Sequence, residues 1–191
     1  DYAVVLNLGT DHYPRAELAD VFGQFLKQTR HGAVLNAAVA TALPEPLPQG
    51  FACRRFGASD DRPLPEYAVR YVPAGQGGPA ANFADGDIPL PVPGVHNALN
   101  AAAVRATLEL LGVPPAPARA ATACFSGVHR RFEIHGRTAR GALVVDDYAH
   151  NVEKLVAALA LAREMVPGRR FAIFQPHGFG PLAFMREALL P

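Results

Sequence analysis

A chain of 191 residues, half of them apolar, has enough nonpolar surface to bury a real core and is sized as one large domain or two small ones. Lys and Arg total 18 against 17 acids, so there is neither the basic excess that would neutralise a nucleic-acid backbone nor the acidic excess of a solvating tail. The two cysteines, Cys53 and Cys124, form no CxxC pair, and no apolar run approaches the roughly eighteen residues needed to cross a bilayer. The chain is therefore expected to be a cytoplasmic protein with no nucleic-acid or membrane partner.

The chain opens with Asp1-Tyr2 directly before the apolar run Ala3 to Leu8, which reads as a buried strand ending at Gly9-Thr10-Asp11. Leu18, Val21, Phe22, Phe25 and Leu26 then repeat at helical spacing from Pro14 to Lys27, with Pro14 suited to the first turn. Gly32 breaks that pattern and Ala33 to Asn36 reads as a second strand, completing a β-α-β unit. From Leu43 to Pro93 proline and glycine are dense, and short stretches such as Tyr67 to Val72 alternate like hairpin strands, so a mostly antiparallel region is expected.

A helix follows from Ala98 to Leu111, stopped by Gly112 and Pro114, and a second, alanine-rich one spans Ala116 to Phe125. The domain boundary is placed near Val128, giving domains 1–127 and 128–191. Beyond it, Leu143 to Val145 reads as strand, Glu153 to Met165 as helix, Phe171 to Phe174 as strand and Leu182 to Leu190 as a helix without a cap. Strand, loop, helix, strand is the order of a parallel α/β sheet. The abrupt start at Asp1 and end at Pro191 read as cuts in something longer.

Four groups of polar residues fall where α/β proteins bind ligands, just after a strand or at the start of a helix. Asp11 and His12 follow the first strand and suit either a metal or phosphate contact or an ordinary helix cap. His96, Asn97 and Asn100 open the helix after Gly94; an asparagine amide can read the edge of a planar heterocycle, or simply cap the helix. Arg130 and Arg131 can clamp phosphate oxygens, while Asp146 and Asp147 after a strand can accept a ribose hydroxyl or hold a cation, with His150 and Asn151 at the next helix; a solvated turn and a cap are the plainer alternatives. His177 follows the strand at Phe174 in the segment Phe174-Gln175-Pro176-His177, as either a crevice residue or part of a tight turn.

Taken in order, NLGTDH, GVHNALN, GVHRRF, DDYAHN and FQPH resemble the Mur ligases, most closely the branch that joins L-alanine to UDP-N-acetylmuramate. The resemblance implies an α/β chain made of part of the central ATPase domain followed by the start of a Rossmann-like C-terminal domain that closes over the nucleotide. It implies ATP and Mg²⁺, a UDP-muramoyl carboxylate activated as an acyl phosphate, and an amino acid or peptide amine that displaces phosphate. On the same resemblance His12 is the Mg²⁺ ligand, and His96, Asn97 and Asn100 surround the adenine. Arg130 and Arg131 contact the terminal phosphates, Asp146 and Asp147 lie near the ribose, and Tyr148, His150, Asn151 and His177 line the amine's cleft. Arg131 and His150 are the expected catalytic residues.

Three departures from the family pattern stand in this sequence. No glycine-rich phosphate loop with its Lys occurs, so the chain alone is expected neither to hydrolyse ATP nor to form amide bonds. Gly178 and Pro181 stand where the alanine-adding branch carries carboxylate-gripping arginines, and Val152 follows His150-Asn151 in place of the His-His-Pro usual there. The alternatives are a ligase that recycles muropeptides and a non-catalytic Mur-like nucleotide-binding module. A nicotinamide-dependent dehydrogenase ranks far behind, because no G-x-G-x-x-G follows a strand.

Overall fold

In the computed structural model the chain divides into two units, Asp1–Phe125 and Ser126–Pro191. The structure describes residues 1–9, 14–44, 47, 50–75, 78–176 and 178–189. Among them, no helix is long and apolar enough to cross a membrane.

The first unit is one six-stranded sheet in chain order, with helices on both faces. Strands β1 (Tyr2–Val5) and β2 (Gly32–Asn36) pair in parallel across α1 (Arg15–Gln28), with Ala3 opposite Ala33 and Val5 opposite Leu35. β2 is buried from Gly32 to Leu35 because both its faces are covered, which is why it reads as a continuous apolar run. Ala33 and Leu35 pack with Ala3, Val5, Ala19, Leu26 and Val39, whereas Val34 joins Phe56, Val69 and Ile88 in the opposite layer.

Two features depart from the sequence expectation for the proline-rich region. A six-residue helix, α2 (Ala37–Ala42), starts where the Asn36 side chain accepts the Ala38 amide at 2.9 Å. It supplies the crossover by which β3 (Ala52–Ala58) lies parallel to β2, and β4 (Tyr67–Gly75) is parallel to β3 in turn. Only β4, β5 (Gly78–Phe83) and β6 (Gly86–Pro89) form the expected antiparallel region. Six alanine-rich residues carry too little periodicity for α2 to have been read from the sequence.

Helix α3 (Val95–Leu110) packs on β2 through β5 with Ala98, Ala101, Ala102, Ala103 and Ala106, small side chains that let the helix approach the sheet closely. Helix α4 (Pro115–Ala123) begins with proline in its first turn, where no amide is missed.

One charged side chain lies inside this layer. Arg105 on α3 is 6% exposed and grips Asp85 with both terminal nitrogens, at 2.9 and 3.1 Å, while its guanidinium lies 4.6 Å over the Phe83 ring and reaches Glu109 at 3.4 Å. Arg119 of α4 donates to the carbonyls of Gly86 and Asp87, so the β5–β6 turn is fastened to both helices. The Tyr67 hydroxyl donates to the other Glu109 oxygen at 3.0 Å, and burial together with that carboxylate pushes the phenol up to about 12.

Among its described residues the second unit has two strands, β7 (Glu133–Arg137) and β8 (Leu143–Asp146), paired antiparallel with each other, and two helices in contact, α5 (Val152–Met165) and α6 (Phe179–Leu189). The strand expected at Phe171–Phe174 is not formed: Phe171 and Ile173 are 80% and 101% exposed. A strand needs a ladder partner for its amides and carbonyls, and among the described residues β7 and β8 satisfy only each other. Arg170, just before this segment, turns back on the carbonyls of Ala162 and Val166 at the end of α5, the position where a cation complements a helix dipole.

Replacing Asp85 with Ala leaves the buried Arg105 with half its partners, and should lower the unfolding free energy of the first unit by about 3 kcal/mol at neutral pH. The Arg105 hydrogen bonds hold the Asp85 carboxyl below its ordinary 3.8. The stabilisation is thus complete above that value and is lost as pH falls through the lower folded value. Urea unfolding of both proteins across this range should show the gap between them closing in acid.

Candidate functional site

Each unit presents one group of the polar residues singled out in the sequence. In the first unit these stand at the start of α3, after Gly94. That glycine has φ +115°, a backbone conformation that residues bearing a side chain rarely adopt, and a Cβ there would also press within 2.9 Å of the His96 ring. The Asn97 side-chain amide donates to the carbonyls of Val92 and Pro93, at 3.2 and 2.9 Å, and its backbone N–H to Gly94 at 3.0 Å. Asn97 is therefore a staple for the loop entering the helix. His96 and Asn100, four residues apart, share an exposed face.

In the second unit the segment 128–133 and the segment 146–151 are laced together. The Asp147 carboxylate accepts the Phe132 amide at 2.8 Å through one oxygen and the Ala149 amide at 2.7 Å through the other. The Tyr148 amide in turn donates to the Arg130 carbonyl at 2.9 Å. Arg130 and Phe132 both hold positive φ, 55° and 50°, a conformation that costs a side-chain-bearing residue about 1–2 kcal/mol. The buried Phe132 ring and the Asp147 contacts offset that cost.

The consequence is that two guanidinium groups gather on one aromatic ring. Arg130 lies 4.9 Å and Arg131 5.9 Å from the centre of Tyr148, and Arg130 Nε is 3.5 Å from Asp146. The Tyr148 ring meets His150 edge-on at 5.0 Å. A carbonyl can only accept, so His150 Nδ1 donates to the Tyr148 carbonyl at 2.9 Å, and its Nε2 accepts from the Lys154 ammonium at 3.0 Å. Asn151 is buried and caps α5, its side-chain oxygen accepting the Lys154 amide at 2.9 Å.

The sequence-expected residues thus separate by role. Arg130, Arg131, Asp146, Tyr148 and His150 come together on the second unit, whereas Asp147 and Asn151 are spent largely on backbone amides. His12 and His177 lie outside the described residues. Sequence reading passed over His129, Glu133, His135 and Lys154. The Glu133 carboxyl is held below its usual range first by the Arg130 amide and then by His129 and His135. Glu133 and His135, two apart on a strand, carry the period-two signal that could have flagged them.

Comparison with known proteins gives one consistent answer. The pattern of the Mur ligase, glutamate ligase domain matches residues 130–188. The UDP-N-acetylmuramate--L-alanine ligase of Nitrobacter winogradskyi is 30% identical over 98% of this chain and 43% of its own length. That of Paenarthrobacter aurescens is 38% identical over 93% of this chain and 40% of its own length. The crystal structure of the UDP-N-acetylmuramate-alanine ligase from Thermotoga maritima superposes with a TM-score of 0.64 at 27% identity, covering 85% of this chain and 38% of that one. The chain spans less than half the length of these curated relatives.

Replacing Asp147 with Ala removes both amide contacts and should destabilise the laced segments by about 2 kcal/mol, roughly a thirtyfold change in local opening. Hydrogen exchange at the Phe132 and Ala149 amides should accelerate by that factor, while the first unit's amides exchange as before.

Proposed function

The chain belongs to the Mur ligase family, and on that premise we propose that it works as part of an ATP-dependent ligase of peptidoglycan-precursor synthesis. The reaction joins an amino acid to UDP-N-acetylmuramate, or to a related UDP-muramoyl carboxylate, through an acyl phosphate. The observation that carries this reading is the gathering of Arg130 and Arg131 on Tyr148, beside Asp146, at the head of the residues the family pattern matches.

A carboxylate is a poor acyl donor because oxide is a poor leaving group; phosphorylation replaces it with phosphate. The charge that builds on the transferring phosphoryl oxygens needs preplaced cations, and guanidinium forks suit it. Arg130 is engaged by Asp146, so Arg131 is assigned to the transferring group and Arg130 to orienting it. On the first unit, His96, Asn97 and Asn100 are assigned to the adenine, with Asn97 acting through the loop it staples. Asp146 is assigned to the ribose; Asp147 supports the turn beneath it. Mg²⁺, when bound, supplies charge neutralisation to the phosphates, with His12 as the family-implied ligand.

His150 is assigned to the amine. An amino acid arrives as an ammonium and must lose a proton before it can attack. His150 Nε2 already accepts a hydrogen bond from an ammonium, that of Lys154 at 3.0 Å, and an incoming amine would make the same contact. Tyr148, Asn151 and His177 complete the amine's surroundings in this reading. Gly178 and Val152, which replace residues usual in the alanine-adding branch, favour a second reading in which the amine belongs to a peptide, as in muropeptide recycling.

Both readings are tested by phosphate release from ATP and UDP-N-acetylmuramate in the ligase that carries this chain, with L-alanine and a muramyl-type tripeptide offered separately. Release that depends on L-alanine supports the first reading, dependence on the tripeptide supports the second, and release indifferent to any amine refutes both. Arg131→Ala should lower kcat by about 10²–10³-fold with a smaller change in the KM for ATP. Unchanged kcat would remove Arg131 from the mechanism.

A further inference from the structure

The β7–β8 hairpin carries a side-chain cluster of which the ligase reading uses only Asp146. Glu133 on β7 stands directly opposite Asp146 on β8, and two carboxylates paired across an antiparallel ladder repel each other. The register shifts between Ile134 and Gly136, so His135 drops out of the ladder, and Gly136, at φ +115°, accommodates the turn in the strand. That shift brings an imidazole onto the carboxylate pair. One donor atom each from Glu133, His135 and Asp146 lie within 4.8 Å of one another, and His135 Nε2 is 3.9 Å from Glu133 Oε2.

We propose that Glu133, His135 and Asp146 form a binding site for a divalent first-row transition ion of the Zn²⁺ type. An imidazole with two carboxylates is a donor set such ions take readily, whereas Mg²⁺ and Ca²⁺ prefer oxygen alone. Tetrahedral bonds of about 2.0–2.1 Å put donor atoms about 3.3 Å apart. The three donor atoms, within 4.8 Å of one another, close to that by rotation of partly exposed side chains. Three protein ligands leave one position for water.

The surroundings fit the assignment. His129 Nδ1 lies 2.5 Å from Glu133 Oε2, and the Arg130 amide donates to the same oxygen at 2.9 Å, so these two contacts hold the carboxylate through Oε2 and leave Oε1 as its ligating oxygen. Arg130 Nε, 3.5 Å from Asp146, partly neutralises the pair in the absence of an ion. The ion and the guanidinium therefore compete for Asp146, and occupancy of the site releases Arg130. The site itself rests on the hairpin geometry and stands whether or not the ligase reading holds.

The test uses the 191-residue chain stripped of metal and titrated with Co²⁺, followed by its visible ligand-field bands, and with Zn²⁺ by calorimetry. One equivalent should bind with micromolar affinity, give the intense bands of a tetrahedral ion, and resist millimolar Mg²⁺. His135→Ala and Glu133→Gln should each weaken Zn²⁺ binding at least tenfold, and His129→Ala by about tenfold. Cys53→Ser and Cys124→Ser should leave binding unchanged. The circular dichroism of His135→Ala and His129→Ala should match that of the parent, since both side chains are exposed. Zn²⁺ affinity weaker than millimolar, or affinity that survives His135→Ala and Glu133→Gln together, would overturn the proposal.

Discussion

The geometry of the second unit depends on what the Asp147 carboxylate does with its two oxygens. One receives the Phe132 amide and the other the Ala149 amide, which ties the turn after Val128 to the loop after β8. Together with the Tyr148 amide, which donates to the Arg130 carbonyl, that tie holds Arg130 and Phe132 at positive φ. With it, Arg130 and Arg131 are delivered to one ring, Tyr148, and Arg130 to Asp146. Two guanidinium groups repel at this range in the absence of an anion; an aromatic face and a carboxylate hold them ready for one. The strain thus flanks Arg131, the residue to which phosphoryl contact is assigned, and it is offset by a neighbour that takes no part in that chemistry.

The first unit solves a different problem, presenting polar side chains at the end of a helix whose body is buried. Helix α3 meets the sheet with five alanines, and its one buried charge, Arg105, is answered by Asp85 and Glu109. This fixes the helix against β5 and β6 while its other end stays exposed at His96 and Asn100. Gly94 and the Asn97 staple define where the helix starts. The rigidity behind the candidate adenine contacts therefore comes from residues well removed from them along the chain.

Several residues carried two meanings in the sequence, and the structure weights them. Asn97 and Asn151 were readable either as caps or as ligand contacts; Asn97 fastens its own loop and Asn151 caps α5. Asp146 and Asp147 are indistinguishable as a sequence pair, yet one faces Arg130 and the other is consumed by backbone amides. Which of two adjacent acids points where follows from the end of a strand and the turn after it, and neither is encoded by residue type. The Glu133, His135 and Asp146 cluster was hidden for a related reason: its members are thirteen residues apart at the extremes and meet only through the hairpin register.

By itself, the sequence determined the positions of β1, α1, β2, α3, α4, β8 and α5, because apolar periodicity and glycine or proline stops are local signals. It also determined the family, through five short motifs in a fixed order. Tertiary structure decided that β3 lies parallel to its neighbours, that a six-residue helix makes that possible, and that Phe171–Phe174 stays unpaired. Strand pairing is a contract between distant segments, so a β-rich stretch cannot by itself say whether its partner is present. Tertiary structure decided too which of the polar residues share a surface, since that depends on turns, caps and register that bring together side chains far apart in the chain.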